Sequence, residues 1–323
     1  MRIARSTALR SVAAATAAAA LASTGGSWPF AQQQHVSIPS VRLNTGAEMP
    51  RLGFGTYLAN GDSLRQALLI AIRTGYRHID TAAGYMNERV VAAAMADSGL
   101  RRDEFFVTTK LWCDSHGAAR TQRAIANSLR RLETDYIDLY LIHAPDNQGE
   151  SAEEIQRLRR ESWLAMEEAY RAGKLRAIGV SNFESRHIEA LLTEADGRPR
   201  KGAIVPAVNQ IELHPFFDQR ETRQYCAQRG IVVESYGAIN ADGLLEDRTL
   251  TRISRSYGRT PAQVSLRHTL QARGAAVLAK SLTPRRIEEN AGVFRFELAP
   301  EDVAELDRLD RGERSYWDNS KVP

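Results

Sequence analysis

Cysteine is almost missing. Cys113 and Cys226 are the only two in the chain, and neither sits in a C-x-x-C or a Cys/His ligand spacing. A disulfide framework and a zinc module are therefore both excluded as organising features, and no metal site is expected. No apolar run is long and hydrophobic enough to span a bilayer, so stable membrane insertion is not expected either. No G-x-G-x-x-G opens a first helix, and no nucleophile elbow is present. Acidic residues are missing from the start of the chain, where the first is Glu48. What remains is 323 residues that are 43% hydrophobic and 25% charged. That is the composition of an ordinary globular protein with a substantial core, not of a disordered or collagen-like chain.

The formal net charge of +4 is unevenly placed. Residues 1–46 hold Arg2, Arg5, Arg10 and Arg42 and no acid. Removing those four from the 43 basic residues leaves 39, equal to the 39 acidic residues. The body of the chain is thus formally neutral and offers no general basic face to a nucleic acid. Residues 1–35 read as an extension outside the fold, with residues 36–323 as a single domain. Three readings fit the extension. A basic start, an Ala-rich middle and Ala20-Leu21-Ala22 suit a secretory signal; the Arg, Ser and Ala richness suits an organellar presequence; the third is a bland, disordered extension or a start codon set too far upstream.

Beyond residue 36, short β-rich runs alternate with helical patterns. Strands are expected at 51–55, 78–80, 105–109, 137–142, 177–180, 208–211, 232–236 and 276–278. Helices are expected at 63–74, 88–98, 119–132, 161–172, 184–192, 220–229, 261–272, 283–291 and 301–309. Eight strands separated by helices imply βα units and a parallel sheet buried on both faces. That many units over this length is what an α/β (β/α)8 TIM barrel needs. Reacting groups in such a barrel sit at the C-terminal ends of the strands.

Four ionisable side chains lie there. Asp80 ends the second strand in HIDTAAGY, with Tyr85 five residues later. Lys110 ends the third in FFVTTKLW, and His143 ends the fourth in IDLYLIHAP. Singly each has a dull explanation as a turn, loop or core residue. Together they suit proton transfer by a tyrosine. A free phenol titrates near 10, and a nearby ammonium lowers that value. A carboxylate beside the ammonium keeps it charged and in place, and a neutral imidazole can orient a carbonyl oxygen.

These residues sit in MPRLGFGTY, GYRHIDTAAGYMNE, VTTKLW, DYIDLYLIH, RAIGVSNF, VNQIELHP and AKSLTPRRIEEN. In order and spacing the set resembles the aldo-keto reductase family from about residue 36 to residue 317. The resemblance implies carbonyl reduction, with Tyr85 as general acid, Lys110 and Asp80 tuning it, and His143 orienting a small-molecule aldehyde or ketone. It implies NADPH as cofactor, with Lys280, Ser281 and Arg286 on the 2′-phosphate and Glu289 and Asn290 at the adenine. Ser181, Asn182 and Gln210 would meet the carboxamide, where neutral groups supply both donor and acceptor, and Tyr236 would stack on the nicotinamide. It implies Tyr57, Trp112, His143 and Trp317 as substrate walls in a monomeric enzyme. NADPH supply favours a cytoplasmic or organellar site of action, in tension with the signal-like start.

The chain also departs from the family pattern. Ala144 and Tyr57 stand where Trp is usual, which predicts a wider, less aromatic pocket. Gly237-Ala238-Ile239-Asn240 replaces Ser-Pro-Leu-Gly, and the tail after Leu309 is short. A low-turnover NADP(H)-binding regulatory or channel-associated protein is the alternative reading, and another barrel enzyme, a lyase or isomerase, is a third.

Overall fold

A computed structural model describes residues 36–194 and 196–323; the extension read at residues 1–35 lies outside the described residues. The first described elements form a small antiparallel hairpin, β1 (Ser40–Arg42) and β2 (Glu48–Pro50). Eight strands then alternate with helices: β3 (Leu52–Gly55), α1 (Gly61–Thr74), β4 (His78–Asp80), α2 (Glu88–Asp97), β5 (Phe106–Leu111), α3 (Ala118–Arg131), β6 (Leu139–Ile142) and α4 (Ala152–Arg171). There follow β7 (Ile178–Ser181), α5 (Ser185–Leu192), β8 (Val208–Glu212), α6 (Arg220–Gln228), β9 (Val232–Tyr236), α7 (Arg248–Ser256), α8 (Pro261–Ala272), β10 (Ala276–Ala279), α9 (Pro284–Ala291) and α10 (Pro300–Asp307). Strands β3 to β10 close into one parallel barrel, β10 pairing back onto β3. The (β/α)8 TIM barrel expected from the sequence is present.

Side chains alternate across a strand, so each barrel strand sends every second residue inward. Phe106, Leu139, Leu141, Ala177, Val208 and Ala276 form an inner apolar layer that also packs Leu43 and Met49 from the hairpin segment. The hairpin therefore plugs one end of the barrel. Outward-facing residues such as Leu52, Ile79, Val107, Ile142 and Val277 join the larger core beneath the helices. Each such aliphatic side chain, when fully buried, contributes roughly 1.5–3 kcal/mol. Above the inner layer the barrel turns polar, with His78, Thr108, Lys110, Gln210 and Glu234 all buried.

Four features depart from the sequence expectations. The hairpin is too short and polar to show a strand pattern. Helix α4 begins some ten residues earlier than expected, because the Ser151 hydroxyl caps it by accepting from Glu154 N at 3.2 Å. Helix α7 was not anticipated; Asp247 caps it by accepting from Leu250 N at 3.0 Å. Strand β5 runs on to Leu111, so Lys110 lies inside it rather than at its end. Among the described residues no helix is long and apolar enough to cross a membrane.

Candidate active site

The open end of the barrel holds a pocket lined by Asp80, Tyr85, Trp112, His143, Gln210, Tyr236, Lys280 and Trp317, among others. Asp80 is the last residue of β4, and its register partner on β5 is Thr108. Lys110 lies two residues further along the same inward face. Its Nζ donates to Asp80 Oδ1 at 2.7 Å, Asp80 Oδ2 at 2.8 Å and Thr81 O at 2.9 Å. The lysine is fully buried, so this ion pair is built into the barrel rather than solvated.

Tyr85 reaches the pair from a single helical turn, Ala83–Tyr85. A Cβ on Gly84 would run into the Trp112 ring, so glycine lets this turn lie flat on Trp112. Asn87, fully buried, holds the turn to the loop after β3: its Nδ2 donates to Thr56 O at 3.0 Å and Ala59 O at 2.8 Å, and Thr81 Oγ1 donates to its Oδ1 at 2.5 Å. The Tyr85 hydroxyl then sits 3.4 Å from Lys110 Nζ and 3.5 Å from His143 Nε2. All four expected groups converge.

Their electrostatics differ in one respect from expectation. Burial dominates at Tyr85 and pushes the phenol well above its ordinary value, with Asp80, Tyr57 and Glu234 adding to the rise. The ammonium does not reverse this, so Tyr85 is held in its protonated, donating form. Burial, then Lys110, pushes His143 well below its ordinary value, so its imidazole is neutral. Trp317 stacks on that ring at 5.7 Å and 6°, and Trp112 meets it edge-on at 5.0 Å.

Aromatic rings line much of the pocket, but Ala144 is not among its walls. Ala144 is fully buried and takes no part in the lining. His143 points into the barrel, so the next residue points away from it. Tyr57, Tyr85, Trp112, Tyr236, Tyr316 and Trp317 line the pocket instead. The last two come from the C-terminal tail. Glu212 accepts from Ser315 N at 2.6 Å and Tyr316 N at 3.2 Å. Arg186 donates to the carbonyls of Asn319, Ser320 and Val322 at 3.2, 2.8 and 2.5 Å. Glycine at 237, with φ of +74°, lets the Tyr316 ring approach the loop after β9.

The amide cluster differs too. Ser181 Oγ donates to Gln210 O at 2.8 Å, and Asn182 Nδ2 donates to His143 O at 2.8 Å and Ser181 Oγ at 3.1 Å. Tyr236 OH donates to Asn182 Oδ1 at 2.6 Å. Gln210 Nε2 donates to Asp80 Oδ2 at 2.8 Å and Glu234 Oε2 at 2.7 Å. The side-chain donors are spent within the protein, and among the described residues the Gln210 side-chain oxygen Oε1 is an acceptor without a partner. The sequence expectation names both donor and acceptor; within the protein these groups leave an acceptor free.

Lys280 enters the pocket directly after β10, while Arg286 is exposed on α9. Among the described residues neither has an ion-pair partner. Ser281 Oγ accepts from Thr283 N at 3.1 Å. Glu289 is engaged by Arg285 at 2.7 Å, and Asn290 is buried. These four lie outside the pocket, beside the residue at its edge.

Sequence reasoning passed over Asn87, Glu212, Arg186, His78 and Glu234. The last two were open to it, since His78 lies two residues before Asp80 and Glu234 two before Tyr236, each on the same inward face.

A parallel barrel with a buried Asp–Lys pair under a tyrosine and a histidine defines a class of oxidoreductase. The chain matches the Aldo/keto reductase family over residues 51–311, and it belongs to that family. It is 41% identical over 276 residues to "Glyoxal reductase" of Bacillus subtilis (strain 168), covering 85% of this chain and 94% of that protein. It is 39% identical over 276 residues to an aldo-keto reductase of Mycolicibacterium smegmatis, covering 85% of this chain and 95% of that one. Among solved structures it resembles an aldo/keto reductase from Brucella melitensis with a TM-score of 0.77 and 38% identity, over 85% of this chain and 100% of that one. It also resembles an aldo-keto reductase enzyme from a Medee basin deep-sea metagenome library, with a TM-score of 0.80 and 36% identity, over 88% of this chain and 100% of that one.

Proposed function

We propose that the protein is an NADPH-dependent reductase of aldehydes or ketones, with Tyr85 as the proton donor. The observation that carries this reading is the Tyr85 hydroxyl lying between Lys110 Nζ and His143 Nε2 in the pocket. When bound, the reduced nicotinamide supplies a hydride to the carbonyl carbon. The residues present fit that group. Gln210, whose side-chain oxygen is free, would accept from a carboxamide NH2, and Tyr236, which lines the same pocket, would pack against the ring. Lys280 and Arg286, without carboxylate partners among the described residues, suit a phosphomonoester. NADH has no charge there to offset the desolvation of two cations, so the phosphorylated cofactor is preferred.

The chain's own residues then divide the work. Tyr85 gives its proton to the carbonyl oxygen as negative charge develops there, and the phenolate left behind is stabilised by Lys110. Asp80 and the Thr81 carbonyl hold that ammonium in place. His143, neutral and wedged between Trp112 and Trp317, orients the carbonyl oxygen. A positioned general acid of this kind contributes about 10²- to 10⁴-fold. The wall formed by Tyr57, Trp112, Tyr316 and Trp317 carries no charge, which suits a neutral carbonyl substrate.

The test is steady-state oxidation of NADPH and NADH with a panel of neutral aldehydes, ketones and dicarbonyls, glyoxal included because a relative bears its name. Turnover with NADPH well above that with NADH supports the reading. Tight NADPH binding without turnover on any carbonyl would favour the alternative of a binding protein, and no NADPH binding would overturn both.

A further inference from the structure

The barrel interior holds ionisable groups that the Tyr85 chemistry does not use, His78 and Glu234 among them. Glu234, on β9, is fully buried and is the register partner of Gln210 on β8. The Gln210 amide nitrogen has two hydrogens, and it gives one to Asp80 Oδ2 at 2.8 Å and the other to Glu234 Oε2 at 2.7 Å. Two carboxyl groups are thus tied to one amide. Glu234 Oε1 is buried with no hydrogen-bond acceptor or donor, 3.6 Å from His78 Nδ1. His78 is itself satisfied, its Nδ1 directed at Pro50 O at 3.3 Å and its Nε2 at Thr108 Oγ1 at 2.9 Å.

The groups facing Glu234 can be counted by element. Strand β4 presents His78 and Asp80, β5 presents Lys110, and the turn after β4 presents Tyr85. Strand β8 presents the neutral Gln210, and β10 presents Ala276 in register with it. One ammonium therefore faces two carboxyl groups. Lys110 spends three contacts on Asp80 and Thr81 and none on Glu234.

Resting on the reading of Tyr85 as proton donor, we propose that Glu234 is a positioning residue whose carboxyl holds a proton beneath the site, so that Asp80 and Lys110 form the single ionised pair under Tyr85. The neutral carboxyl fixes the Gln210 amide with its nitrogen inward and its oxygen toward the pocket. Its ionisation places a second negative charge near the phenolate that Tyr85 becomes on giving its proton to the substrate oxygen. Carbonyl reduction then falls while the fold persists. Burial, and secondarily Asp80, pushes the Glu234 carboxyl up to about 8, whereas Tyr85 is pushed well above its ordinary value near 10. Glu234 is thus the first of the two to titrate as pH rises.

The test has two arms. In the first, kcat for carbonyl reduction is followed against pH in the wild type, Glu234→Gln and Glu234→Asp. The wild type should show a one-proton alkaline limb, with kcat falling about tenfold per pH unit beyond its midpoint. Glu234→Gln should lose that limb, and Glu234→Asp should keep an ionising one. An unchanged limb in Glu234→Gln would overturn the proposal; a purely structural role would change stability but not the limb. The second arm uses the unmodified protein. Infrared difference spectra across the same pH range should show one protonated-carboxyl C=O band disappearing. A spectrum with no such band would also overturn it. Because this arm needs no turnover, it remains decisive even if the carbonyl-reductase reading fails.

Discussion

Removing the lysine from the buried ion pair separates the architecture of the site from its chemistry. In Lys110→Met, a side chain of similar length and no charge, the Asp80 carboxylate loses two hydrogen bonds at 2.7 and 2.8 Å and the Thr81 carbonyl loses one at 2.9 Å. Asp80 keeps only the Gln210 amide. Both partners of the pair are buried. Stranding one charge of a buried pair costs about 3–5 kcal/mol. Lys110→Met should therefore unfold at a guanidinium midpoint well below that of the wild type, with a loss in that range. The double variant Asp80→Asn/Lys110→Met removes the stranded charge while leaving an acceptor for Gln210, and should recover at least half of the loss. Neither variant should reduce carbonyls at more than a small fraction of the wild-type rate, because Tyr85 loses its ammonium in both. Guanidinium unfolding followed by circular dichroism, with NADPH turnover on the same samples, reads both effects. If the single variant lies within about 1 kcal/mol of the wild type, or the double is no more stable than the single, the reasoning fails.

Two further outcomes follow from the pocket's edges. Arg286→Ala should weaken NADPH binding about tenfold to a hundredfold and NADH binding little, since a charged hydrogen bond contributes about 1.5–3 kcal/mol; equal losses for both cofactors, measured by fluorescence titration, would remove the arginine from the phosphate. Trp317→Ala deletes the ring stacked on His143 at 5.7 Å. It should raise the carbonyl KM up to about tenfold, the worth of an aromatic pair, with NADPH affinity unchanged.

The barrel could be read in the sequence because its repeats are local: short β-branched runs, then amphipathic helices, eight times over. The reacting quartet was readable because strand ends are where barrels place chemistry, and Asp80, Lys110 and His143 all lie there. What escaped was non-local. The resemblance put Trp317 and His143 in one wall, but nothing in the sequence says that the indole stacks on the imidazole, or that Arg186 grips three carbonyls of that same tail. The first hairpin escaped because SVR and EMP carry no alternation, its role being to plug a barrel whose closure only the fold reveals. Helix α7 escaped because a polar stretch headed by Asp247 looks like loop until its cap is seen. The titration of Tyr85 was misjudged in direction because burial, which sequence does not show, outweighs the neighbouring ammonium. Glu234 and His78 lay within reach of period-two counting from Tyr236 and Asp80, but a strand residue of either kind usually faces solvent.

The central claim is that the Tyr85 hydroxyl delivers the proton. Tyr85→Phe keeps the ring beside Lys110 and Tyr57 and removes only that oxygen. Single-turnover hydride transfer from bound NADPH to a neutral aldehyde should fall by about 10²- to 10⁴-fold in this variant, with NADPH affinity unchanged. A transfer rate within a few-fold of the wild type would contradict the account.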